Sequence, residues 1–130
     1  MELVVVFPVV LLLLVGVIDY GRLFYTSVTV SNAARAGAEY GQFDLGHQVD
    51  TTGMRTTGQA DGSDAGNVTV TARKYCECGG ASNPSCTLCS GVAPEVYIEV
   101  TATKSVSMYL PYPGLQNPVT VTRTATFRSQ

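Results

Sequence analysis

Hydrophobic and polar positions follow three successive patterns along this 130-residue chain. From Leu3 to Ile18 no residue is charged and almost all are apolar, in the run LVVVFPVVLLLLVGVI. As a helix, those sixteen residues rise about 24 Å at about 1.5 Å each, short of a bilayer core of about 30 Å. Continuing through Asp19, Tyr20, Gly21 and Arg22 to Leu23, Phe24 and Tyr25 closes the gap and places Tyr20 and Tyr25 at a membrane interface. The pattern predicts a membrane-spanning or bundle-core helix. A cleaved secretory signal is the weaker reading, because no Lys or Arg precedes the run and no small-residue cleavage pattern follows it.

Helical periodicity continues past the polar break. Leu23, Ser27, Val30, Ala34, Gly37, Ala38 and Gly41 recur at spacings of three and four, with Arg35 and Glu39 as an i,i+4 pair on another face. One helix of about 40 residues, near 60 Å long, is expected. Its first half, residues 1–25, is apolar all round and must be buried on every side. Its second half is amphipathic and needs a partner layer on one side only. Residues 26–130 form the head domain, which begins with that second half.

Residues 42–66 are rich in glycine, threonine and aspartate and are expected to form a polar surface segment. A short helix around Val49 to Ala60 is weakened by Gly53 and Gly58. Three runs of period-two alternation follow: Asn67–Tyr75, Glu95–Met108 and Pro118–Arg128. Val68, Val70 and Ala72 mark one face of the first, Val96, Ile98, Val100 and Ala102 that of the second. Val119, Val121, Ala125 and Phe127 mark the third, with Arg123 a charged break. The opposite faces carry threonine. The loop LPYPGLQNP separates the last two runs and continues neither. The fold class expected is α+β: one long N-terminal helix packed, by its C-terminal half, on a small antiparallel sheet of about three strands.

Charge sharpens this division. Only 14% of residues are charged, against roughly 25% in a typical soluble domain. The net charge of −2 provides no basic field to attract nucleic acid, which makes nucleic acid an unlikely partner.

The chemistry-bearing residues are few. Cys76, Cys78, Cys86 and Cys89 flank the turn-rich stretch GGASNPS in the loop 76–89. Four thiolates from one knuckle make a zinc site conceivable, but an exported head favours two disulfides and no metal. Pairing Cys76 with Cys78 is sterically poor, which leaves a nested arrangement, Cys76–Cys89 with Cys78–Cys86, or the crossed alternative. Glu2 is either an interfacial carboxylate at a helix N-terminus or a charge carried into an apolar bundle, where it needs a cation. Pro8 removes one amide donor and is expected to bend or loosen the helix. Asp19 and Arg22 fit an i,i+3 ion pair that closes the apolar span. Asp61 and Asp64 fit a solvated turn better than a calcium loop. His47 has no nucleophile placed beside it by any motif, and Asn67-Val68-Thr69 fits an N-glycosylation acceptor that recurs by chance. No catalytic constellation emerges, so a non-enzymatic role without cofactors is expected.

The N-terminal arm resembles the TadE-like pseudopilins, type IV pilin relatives of the bacterial tight-adherence systems. Glu2 and Pro8 enclosing apolar residues, the run VVLLLLVGVIDYGRLFY, and Asn32-Ala33-Ala34-Arg35-Ala36-Gly37-Ala38 followed by Tyr40-Gly41 carry the resemblance. After residue 41 the similarity is one of order only. The resemblance implies that Glu2 pairs with the N-terminal amine of a neighbouring subunit, so that Glu2→Ala is expected to insert into the membrane but to form no filaments. Only Met1 precedes Glu2 here, where the pilin pattern places several residues. Glu2, Pro8, Asp19 and Arg22 become assembly residues, and the sheet packs on Leu23, Val30, Ala34 and Gly37.

By the same resemblance the chain is a structural subunit of an extracellular type IV pilus-like or Tad-like filament. It would sit first in the inner membrane, engage a prepilin peptidase and an assembly platform, and polymerise as a homo-oligomer through its apolar helix. A minor pseudopilin that primes assembly or secretion is the alternative, and a membrane-anchored adhesion module that never polymerises is a third reading.

Overall fold

The computed structural model describes residues 2–83, 85–110 and 112–129, with side chains from residue 6 onward. Helix α1 runs from Glu2 to Gln42, 41 residues or about 60 Å, and continues through Pro8. Helix α2 spans Thr51–Asp61 and is followed by a 3₁₀ turn at Gly62–Ala65. The strands are β1 (Thr69–Cys78), β2 (Ala81–Ser82), β3 (Glu95–Val106) and β4 (Val119–Ser129). They form one antiparallel sheet in the order β2-β1-β3-β4. The architecture is α+β and pilin-like in general arrangement, with four strands where about three were expected. The fourth, β2, pairs only Glu77 and Cys78 of β1, too short a segment to show alternation.

The sheet lays one face on the second half of α1. Val70, Ile98, Val100, Ala102 and Val121 meet Val30, Ala33, Ala34 and Ala38 in a single core, with Leu23 half-buried at its edge. The small residues on α1 allow that approach. A Cβ on Gly37 would lie 2.7 Å from the Met54 carbonyl oxygen and 3.0 Å from Val100 Cγ1. Packing against α2 and β3 at Gly37 therefore requires glycine.

Residues 42–66 are not simply a surface segment. Helix α2 inserts Met54 fully into the core, and Gly53 and Gly58 serve its packing instead of breaking it. A Cβ on Gly58 would sit 2.8 Å from the Ala33 carbonyl oxygen, so the two helices approach backbone to backbone. Close packing outweighs the intrinsic helix penalty of glycine, about 1 kcal/mol. Gly58→Ala is accordingly expected to destabilise the head by about 1–3 kcal/mol through overpacking, despite its gain in propensity. Chemical denaturation of the variant checks this, and an unchanged or raised midpoint would contradict it.

The start of α2 is set by Asp50. Its Oδ1 accepts from Gly53 N at 2.8 Å and its Oδ2 from Tyr40 Oη at 3.0 Å. The Gly53 amide, then the Tyr40 hydroxyl, holds the Asp50 carboxyl below its usual range, while the same bond to Asp50 raises Tyr40. A carboxyl depressed in the folded state stabilises above its unfolded pKa, and that stability is lost as pH falls through the lower folded value. Asp50→Asn should therefore flatten the loss of thermal stability below about pH 4. An acid profile as steep as that of the parent protein would argue against this role of the cap.

Candidate assembly surface

In the first half of α1, side chains project into open space. Leu12, Leu13 and Val17 are 61%, 65% and 70% exposed, and Phe7, Leu14 and Ile18 are more than half exposed. The head leaves them largely uncovered, with Tyr112 of the loop between β3 and β4 at their edge. Among the described residues, α1 is the one helix long and apolar enough to cross a membrane, and its most apolar stretch is almost wholly unburied in the isolated chain. Water solvates such a surface poorly, at about 25 cal/mol per Å² of apolar area, so lipid or other helices must cover it. Pro8 lies exposed within this stretch. The side chain of Glu2 lies outside the described residues.

At the end of the apolar run, Asp19 is 1% exposed. The ion pair expected from its spacing with Arg22 exists but is long, at 4.0 Å, and the Arg22 side chain is nearly half exposed. The principal partners of Asp19 come from the β3–β4 loop. Tyr109 N donates to both carboxylate oxygens at 3.0 Å, Leu110 N donates to Oδ2 at 3.2 Å, and Tyr112 Oη lies 3.4 Å from Oδ2. Burial first, then the Asp19 carboxylate, raises the Tyr112 pKa. Arg22 instead stacks on Tyr109, with its guanidinium carbon 4.6 Å from the ring centroid.

The loop is closed at its base by Asn117, whose side chain accepts from Met108 N at 3.0 Å and donates to Met108 O at 3.2 Å. Asp19 thus clamps a distant loop to the helix. The spacing rule could find Arg22 but not backbone amides some 90 residues away. The only sequence signal was a carboxylate beside a long apolar run.

Arg123, the charged break in β4, also has a structural explanation. Its Nη2 donates to Ser27 Oγ at 2.6 Å and its Nη1 to Thr122 O at 3.1 Å, bridging the free edge of the sheet to α1. An inward-pointing charge on an edge strand discourages further strand addition. On the outer face, hydroxyl pairs link Thr101 to Thr124 at 2.9 Å, and Thr103 to Thr122 and Ser105 to Thr120 at 3.3 Å. Arg73 forms a two-pronged pair with Glu99 at 2.7 and 2.9 Å. Hydroxyls thus line one end of this face, and the ion pairs Arg73–Glu99 and Arg128–Glu95 the other.

The cysteines form two disulfides, Cys76–Cys86 and Cys78–Cys89, the crossed alternative to the nested one. Their Cα atoms lie 5.2 and 5.6 Å apart, within the usual range. All four sulfurs are thereby withdrawn from metal coordination. Loops of this size contribute about 2–3 kcal/mol each in the chain-entropy account. The knuckle caps the end of the sheet farthest from the Asp19 clamp, since β3 starts beside it and ends in the clamped loop.

His47 is half-exposed, edge-on to Tyr40 at 4.5 Å and to Phe43 at 5.8 Å, and within 2.8 Å of Asp44. Among the described residues no group of His, Cys, Asp and Glu converges in a metal-binding geometry. The bare first half of α1 and the Asp19 clamp at its end are the candidate surface. No curated protein and no solved structure matches the chain. The model of the family described as TadE-like protein matches residues 1–39, nearly the whole of α1, and stops before α2 and the sheet. Over its N-terminal helix, the chain is similar to the TadE-like proteins.

Proposed function

We propose that the protein is a non-catalytic structural subunit of a Tad-type pilus, held in the inner membrane by α1 and polymerising through the same helix. The observation that carries this reading is the exposed apolar half of α1, rigidly continuous with a packed head. A span that served only as an anchor would need no rigid continuation into the head domain. The TadE-like match over that helix associates the chain with the tight-adherence system. Assembly then exchanges lipid for neighbouring helices around one apolar surface, leaving the threonine face and the disulfide knuckle outward.

Shearing surface appendages from producing cells and identifying their subunits by mass spectrometry tests the proposal. The chain is expected as an abundant band in filaments. A trace amount beside another abundant pilin would favour the priming role. Exclusive recovery as a membrane-bound monomer would favour the anchored adhesion module.

A further inference from the structure

We infer that the β3–β4 loop, through residues 108–110 and 112–115, is a second membrane contact that seats in the interfacial layer of a phospholipid bilayer beside α1. The inference rests on α1 being a membrane helix and adds a lipid-facing role for the head itself.

Three observations lead to it. The loop reaches down the helix: Tyr112 Oη would lie 3.6 Å from a Cβ on Gly16, which is inside the apolar run. Tyr112 forms an apolar cleft there with Leu12, Leu13, Val17 and Tyr20. The loop is also built for an interface. Residues 106–118 include no charged side chain, and Tyr109 and Leu115 are mostly exposed, on a loop whose base is pinned by Asn117. Tyr20, Phe24 and Tyr25 add exposed aromatic surface on the adjoining turns of α1. Aromatic side chains with one polar end partition to the headgroup boundary, and Arg22 over Tyr109 places a cation at the same level.

The third observation is the length of the apolar run. Leu3–Ile18 falls about 6 Å short of a bilayer core, and a span extended toward Tyr25 to make up the difference carries the hydrocarbon boundary past Asp19. A bare carboxylate there is costly. The loop removes much of that cost, because it supplies the amides of Tyr109 and Leu110 to the carboxylate and covers it. The clamp and the lipid contact are thus one arrangement: Asp19 holds the loop at the depth where its tyrosines and leucine meet headgroups.

The chain has no tryptophan, so single substitutions report depth without background. Full-length Leu115→Trp, Leu13→Trp and Val92→Trp would be reconstituted separately in phosphatidylethanolamine and phosphatidylglycerol vesicles carrying nitroxide lipids labelled near the headgroup or deep in the acyl chain. Leu13 and Val92 are both exposed, and Val92 lies at the far disulfide end. The expected result is strong quenching of Leu115→Trp by the shallow label, quenching of Leu13→Trp by the deep label, and at least fivefold weaker quenching of Val92→Trp. Leu115→Trp that behaves like Val92→Trp, while Leu13→Trp is quenched, would overturn the loop contact alone. Absence of quenching at Leu13→Trp would overturn the membrane reading and the loop contact with it.

Discussion

Leu13→Asp should leave the head as stable as in the parent protein and reduce filament yield by at least tenfold. Leu13 is 65% exposed in the isolated chain and meets the head only at the edge of the open cleft beside Tyr112, so thermal unfolding of the sheet and α2 should change little. In a membrane, Asp near the centre of a helix costs about 2.5–3.5 kcal/mol on insertion scales, which a run of this apolarity tolerates. In a filament core the same carboxylate would be packed among apolar helices with no cation at its level, and an unpaired buried charge costs several kcal/mol more. The yield of sheared filaments, beside the melting temperature of the detergent-solubilised chain, separates these effects. Parental filament yield would remove this helix face from assembly.

The second large effect is expected at Asp19. Asp19→Ala deprives the amides of Tyr109 and Leu110 of their acceptor and opens space beneath Tyr112. A buried unsatisfied donor costs about 1–3 kcal/mol, so the head should lose about 2–4 kcal/mol, with hydrogen exchange rising first across the β3–β4 loop. Asp19→Asn keeps one acceptor oxygen and should lose less. Arg22→Ala, which removes only the 4.0 Å pair and the stack on Tyr109, should cost under about 1 kcal/mol. If Arg22→Ala proved as damaging as Asp19→Ala, the ion pair and not the loop clamp would be the principal interaction.

These two residues also show what could be inferred from sequence and what could not. The stripe on α1 was legible because small residues at three- and four-residue spacing have one physical use, close approach, and Val30, Ala34, Gly37 and Gly41 all face a packed layer. The faces of β1, β3 and β4 followed from strict alternation. Local propensity understates α2, because the helix that Gly53 and Gly58 weaken is held by tertiary contacts only glycine permits. Arg123 looked like an error in the pattern until the sheet edge gave it Ser27 and Thr122. Asp19 was recognised as special and given a neighbour in sequence, because partners far along the chain leave no local trace. The exposed half of α1 is the clearest signal of all, since Leu3–Ile18 carries no charge on any face.

Photocrosslinking from that surface tests the central claim most directly. With a benzophenone amino acid at Leu13, and separately at Thr101 on the outer face of the sheet, irradiation of sheared extracellular material should give a ladder of chain multimers from position 13 and little from position 101. Monomer alone from position 13, in filaments that contain the chain, would contradict assembly through the apolar helix.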